Sequence, residues 1–213
     1  MPLRNFLDTR VGDIQYFLPN FTGGEVWPSN EATAFGSGTA SIAAEGNVNR
    51  QVFAAGVTPV ATGSDIVIGL YTLPASSFDG VAGTNRGLAL TAQGSFGATA
   101  NAKTIKIIAN PTTAVVGSVI GAGGTVVATT GVVNTNGSGW ILAADIYKYG
   151  APGSNTQMGL HQASQMGPAV TPLQATSLIT APENAPIIFA VTANCATLGN
   201  DVVLNFIQAN ALN

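Results

Sequence analysis

From about residue 51 onward the chain alternates between apolar and polar positions. Leu88, Leu90, Ala92 and Phe96 fall on one side of a period of two, and Ala89, Thr91, Gln93 and Ser95 fall on the other. That is the signature of a half-buried strand. Ile105 and Ile107 alternate with Thr104 and Lys106 in the same way. Trp140, Leu142, Ala144 and Ile146 oppose Ile141, Ala143, Asp145 and Tyr147, and Val202, Leu204 and Phe206 repeat the pattern near the C-terminus. Further strands are expected at residues 65–73, 157–163, 175–180 and 186–195, where Val, Ile and Thr concentrate between Gly, Pro, Asn and Asp. Residues 126–133 and 140–149, joined through Asn134-Thr135-Asn136-Gly137-Ser138-Gly139, read as a hairpin, because Asn-Gly accepts positive φ in its turn. Gly121-Ala122-Gly123-Gly124 sets residues 114–120 apart from Thr125. No segment longer than a turn or two has helical periodicity. Eight to ten strands in this length predict an all-β fold, a jelly-roll-like β-sandwich with an extended N-terminal arm.

The arm is residues 1–50, and the β-sandwich domain is 51–213. Pro19, Gly23-Gly24 and Pro28 interrupt the first segment, and no period organises it. It carries Phe6, Tyr16, Phe17, Phe21 and Trp27, rings that need a surface to bury them: the chain's own domain, or a neighbouring subunit or partner. In the β domain several outward positions are apolar. Ile141, Tyr147 and Tyr149 lie opposite Trp140, and Val203 and Ile207 lie opposite Leu204 and Phe206. Either the rest of the fold covers them or a second copy of the chain does.

Composition narrows the function. Charged residues are 8% of the chain, against roughly a quarter in an ordinary soluble domain, and mean hydropathy is +0.33. Eight of the charges lie in the first 50 residues, so the β domain is poorer still. Net charge is −3, without the dense Lys/Arg footprint that nucleic-acid binding requires. Lys103 and Lys106 read as solvent-facing gatekeepers on a strand. The N-terminal Met1–Phe6 has no apolar signal core, and no run reaches the ~18–20 apolar residues of a membrane helix.

Candidate chemistry is thin. The single cysteine, Cys195, ends an apolar run and reads as a buried small hydrophobe. The single histidine, His161, has no Gly-x-Ser-x-Gly elbow to serve. Two His and Cys residues in all do not make a zinc site. Asp65, Asp79 and Asp201 are candidate calcium ligands without a calcium-loop pattern. A carboxylate pair such as Asp79 and Glu183 would serve a glycosidase, a weak reading with ten acids in the chain. No cofactor is expected, and no enzyme.

One resemblance adds to this. Residues 65–77 (DIVIGLYTLPASS), Asn85-Arg86-Gly87-Leu88, residues 98–106 (ATANAKTIK), Gly139-Trp140 and Asn200-Asp201-Val202-Val203-Leu204 together resemble the jelly-roll virion proteins of tailed bacteriophages, the type used for capsid decoration and for tail-fibre modules. The resemblance covers roughly the last two-thirds of the chain. It implies a homotrimer on the outer surface of a phage head that binds the major capsid protein and contacts neither nucleic acid nor membrane. In that setting Phe6, Tyr16, Phe17, Phe21 and Trp27 are the expected partner contacts, and Ile141, Tyr147, Tyr149, Val203 and Ile207 the expected subunit interface. The rival implication is a tail-fibre or receptor-binding module whose loop 76–85 meets a host glycan.

Overall fold

The computed structural model describes residues 40–42, 48–60, 62–78, 87–151, 153–167, 169–171, 176–197 and 199–212. They form β1 (Ala40–Ile42), β2 (Val48–Val57), β3 (Ile66–Leu73), β4 (Gly87–Phe96), β5 (Lys103–Ala109), β6 (Thr125–Thr129), β7 (Gly139–Lys148), β8 (Gln157–Met166), β9 (Ala169–Thr171), β10 (Thr176–Ile179), β11 (Ile187–Cys195) and β12 (Val202–Leu212). The large sheet runs β1-β2-β12-β4-β7-β8-β10, with β9 paired to β8, and the small sheet runs β3-β11-β5-β6. Every pairing is antiparallel. No helix among the described residues is long and apolar enough to cross a membrane.

Eight of these strands make a jelly roll. β5 pairs with β6, β4 with β7, β3 with β11 and β2 with β12, so the chain is a ribbon doubled back on itself. Rolling that ribbon brings β12 against β4 and β11 against β5, which gives the two sheets β2-β12-β4-β7 and β3-β11-β5-β6. The segment β8–β10, inserted between β7 and β11, widens the large sheet, and β1 extends its other edge. β1 and the start of β2 lie on the N-terminal side of residue 50, so the sheet reaches across the expected arm boundary. The five arm aromatics, Phe6 to Trp27, lie outside the described residues.

The core lies between the sheets. Leu88, Leu90, Ala92 and Phe96 from β4 meet Ile105, Ile107, Phe189 and Val191 from the small sheet, and Trp140, Leu142, Ala144 and Ile146 continue the layer on β7. The period of two therefore places β4 and β7 as the sequence predicts. Each large apolar side chain removed from water contributes about 1.5–3 kcal/mol. Burial on both faces of β3 has a local cause. The loop between β5 and β6 returns along its free edge, with Val67 N donating to Ser118 O (2.9 Å), Gly117 N to Val67 O (2.8 Å) and Ile120 N to Asp65 O (3.0 Å). An edge strand that would otherwise offer an unpaired ladder is thereby closed.

Three expectations are corrected. Residues 126–133 and 140–149 are not a hairpin: β6 stops at Thr129 and pairs with β5, while β7 belongs to the other sheet. Gly131 at φ 65° turns the chain, Val133 bridges to Lys103, and Gly137 N donates to Gly97 O, so the Asn-Gly segment crosses from sheet to sheet. Residues 114–120, set apart by the glycines as one arm of a second strand–turn–strand unit, are loop, with one isolated bridge from Val119 to Ile66. Third, a β-bulge between Leu204 and Phe206 reverses the alternation of β12. Asn205 is the extra residue, so Ile207 and Ala209 enter the core, Ile207 fully buried, while Phe206 pairs with Gln93 on the outer face. Ile207 is therefore core and not an outward interface residue.

Candidate functional site: the outer face of the large sheet

The described polar clusters are structural ties. The Lys148 ammonium lies 2.6 Å from Glu183 Oε1, and both side chains are buried. Glu183 also accepts from Gln157 Nε2 (2.6 Å), Thr156 N (3.2 Å) and Gly153 N (3.0 Å), and Lys148 donates to Ser154 Oγ (2.7 Å). Gln157 closes the set by bonding both ways with the Ala181 backbone. Buried charges are tolerated only when paired and hydrogen-bonded on all sides, and this pair is. The cluster fastens the β7–β8 turn to the segment between β10 and β11. Glu183 is thus occupied by structure, and its suggested partner Asp79 lies outside the described residues.

At another point Lys103, expected at the surface, is almost wholly buried. Its ammonium donates to the carbonyls of Thr99 and Thr135, both at 2.8 Å, and sits 5.4 Å from the Phe96 ring centre. Two backbone acceptors and an aromatic face replace water, which a local reading of the strand does not reveal. Lys106 keeps a partly exposed pair with Asp65 at 2.7 Å. Asp201, also buried, accepts from Thr99 Oγ1 and Asn101 Nδ2. Cys195 is a free, buried thiol; burial first, then the Asp201 carboxylate, push it up to about 11, against the smaller opposing pull of Lys103. Such a thiol is not a nucleophile at neutral pH. His161 is buried on the core side of β8, opposite Ala144. Among the described residues no three His, Cys, Asp or Glu side chains gather as metal ligands.

What remains is surface. The outer face of the large sheet presents Val203, Phe206, Gln208 and Asn210 from β12, Ala89, Thr91, Gln93 and Ser95 from β4, and Ile141, Ala143, Asp145 and Tyr147 from β7. Asp145 is the sole charged residue on those three strands' outer positions, and it accepts from Tyr147 Oη (3.3 Å) and Gln162 Nε2 (2.8 Å). Desolvation, then the neighbouring Asp145 charge and hydrogen bond, raise the Tyr147 phenol above its ordinary value, so it stays neutral. Of the expected interface residues, Ile141 and Val203 lie toward the Gly139 end of this face, and Tyr147 lies at the Gly87 end. Tyr149 follows β7 and is 53% exposed.

Near the Gly139 end an open groove of about 500 Å³ is lined by Gln93, Gly94, Gly139, Trp140, Ile141, Gly167 and Asn205. Gln93 and Ile141 are direct cross-strand partners, which places the groove on the outer face. Sequence reading missed it. Asn205 is aimed there by the bulge, and Gly139 and Gly167 are brought together by a hydrogen bond from Gly167 N to Gly139 O (2.8 Å). Neither leaves a periodic signal.

No protein-family model matches the chain, and no curated protein matches it. Among solved structures it is similar to the lectin UEA-II complexed with galactose, at 11% identity and a TM-score of 0.40, covering 89% of this chain and 97% of that one. It is also similar to peanut lectin with a 9mer peptide, at 12% identity and a TM-score of 0.33, covering 87% and 95%.

Proposed function

We propose that the chain is a virion structural protein of a tailed bacteriophage, a capsid decoration protein that acts by binding and not by catalysis. It attaches to the major capsid protein on the outer surface of the head as a homotrimer and adds contact across capsomer boundaries. The observation that carries this reading is the outer face of the large sheet, which on β12, β4 and β7 bears one carboxylate, already engaged by Tyr147 and Gln162. A face with so little charge loses little on being covered, because burying an unpaired ion is the large cost of association. Ile141, Tyr147 and Val203 supply the apolar area for the subunit contact, with Tyr149 beside them. Phe6, Tyr16, Phe17, Phe21 and Trp27 supply the anchors to the shell.

Imaging of the intact particle tests the location. Density on the shell is the expected result; density confined to the tail would replace this reading with the tail-fibre one. Deleting residues 1–30 is expected to abolish capsid binding while the β domain keeps its cooperative melt, and undiminished binding would remove the anchor assignment. Native mass measurement is expected to give a trimer.

A further inference from the structure

The groove beside Gln93 and Asn205 has the chemistry of a site for a neutral sugar, and we propose that it binds one. The first argument is charge. Among the described residues no ionisable side chain lines it, so an ionic ligand would give up hydration and meet no counter-charge from them. The second is hydrogen bonding. The Gln93 and Asn205 carboxamides make no hydrogen bond to another described residue, and each offers a donor and an acceptor side by side. Sugar hydroxyls both donate and accept, and adjacent pairs of them complement a carboxamide.

Trp140 adjoins the groove, its ring packed against Gly94 on the core side of the sheet, so its indole N–H lies close enough to report on what fills the groove. The third argument is shape. Gly94, Gly139 and Gly167 expose bare backbone, and Ile141 offers an apolar patch for the C–H side of a pyranose ring. About 500 Å³ lies within the ordinary range of small-ligand sites, roughly 300–1,000 Å³.

A peptide fits less well. Extended peptides bind by completing a sheet edge, and the groove lies mid-sheet, where β4 is already paired on both sides by β12 and β7. Ile141 is shared with the subunit contact proposed above, the other groove residues are not, and the oligomeric mass of the variants below separates the two roles.

The test is titration of the full-length, isotopically labelled protein with neutral hexoses, N-acetylhexosamines and their disaccharides, following the Trp140 indole N–H resonance, assigned with Trp27→Phe. A saturable shift with at least one neutral sugar is expected. Gly139→Val should fill the groove without disturbing the fold, since the nearest atom to a Cβ there is Gly94 O at 3.7 Å, an ordinary contact. That variant and Gln93→Ala should each weaken binding about tenfold or more, with an unchanged melting temperature. The absence of saturable binding up to about 50 mM by any neutral sugar, far below useful affinity, overturns the proposal. So does binding that survives both variants. A change in oligomeric mass caused by either variant also overturns it, because the groove would then be a subunit contact.

Discussion

Removing the Lys148 ammonium while leaving Glu183 in place should be among the most damaging single changes outside the apolar core. Lys148→Met keeps most of the side-chain volume but strands a carboxylate that is fully buried. Three donors remain to it, Gln157 Nε2 and the backbone amides of Gly153 and Thr156, but no positive charge does. Breaking one side of a buried ion pair costs about 3–5 kcal/mol, and at about 2–4 °C per kcal/mol for a chain of this size the melting temperature should fall by roughly 6–20 °C. The double variant Lys148→Met/Glu183→Gln removes both charges. It keeps one acceptor oxygen, at the Oε1 position, for Thr156 N and Gln157 Nε2, and leaves the amide of the exposed Gly153 to water, while Ser154 Oγ and Thr156 Oγ1 still bond each other at 2.6 Å. It should recover most of the loss. Thermal and urea unfolding of wild type and the two variants decide the matter. A single variant within about 1 kcal/mol of wild type, or a double variant less stable than the single, would refute the reasoning that the pair, and not the packing of its stems, holds this turn.

Because the Cys195 thiol is pushed up to about 11 in the folded protein, the folded state holds its proton more tightly than the unfolded state does. The stability this contributes is full below the unfolded value and is lost as pH rises toward about 11; Cys195→Ala should flatten that alkaline decline in urea midpoints, and thiol reagents at neutral pH should label Cys195 only on unfolding. At Gly94 a Cβ would fall 1.8 Å from the backbone oxygen of Val203, an atom that cannot swing aside. Gly94→Ala should therefore destabilise by about 1–3 kcal/mol in chemical denaturation, and a neutral result would show that the β12 bulge yields easily.

The alternation of β4 and β7 was legible because each is regular along its buried face, and a period of two then reports burial directly. β12 broke the rule for one residue. Asn205 adds a step without a sequence mark, and everything after it changes sides, which put Ile207 in the core and Phe206 outside. The Asn-Gly turn misled for a related reason: positive φ at Gly137 is real, but the turn serves a crossing between sheets and not a hairpin. Pairing in a rolled ribbon is set by distant partners. The groove was invisible for the same cause, since its residues come from β12, β4, β7 and the turn after β8.

The scarcity of charge takes a different meaning once each charge has a place. Seven charged side chains of the β domain are described: Asp65, Lys103, Lys106, Asp145, Lys148, Glu183 and Asp201. Each is engaged. Asp65 holds Lys106, Lys148 holds Glu183, Lys103 is held by two carbonyls, Asp201 by Thr99 and Asn101, and Asp145 by Tyr147 and Gln162. Soluble domains commonly spend most of their charges on bare surface, where a pair contributes roughly 0–1 kcal/mol. Here four of the seven are buried and act as fasteners at loops and strand ends, while the wide sheet face is left to amides, hydroxyls and methyl groups. Two demands explain that division. Loops that join two sheets need directional ties, which buried ions supply at the risk of large loss if one partner goes. The proposed cover of the sheet face needs the opposite, groups that exchange water for a neighbour at little cost, and a neutral face meets that demand whether the neighbour is a subunit, a shell or a sugar.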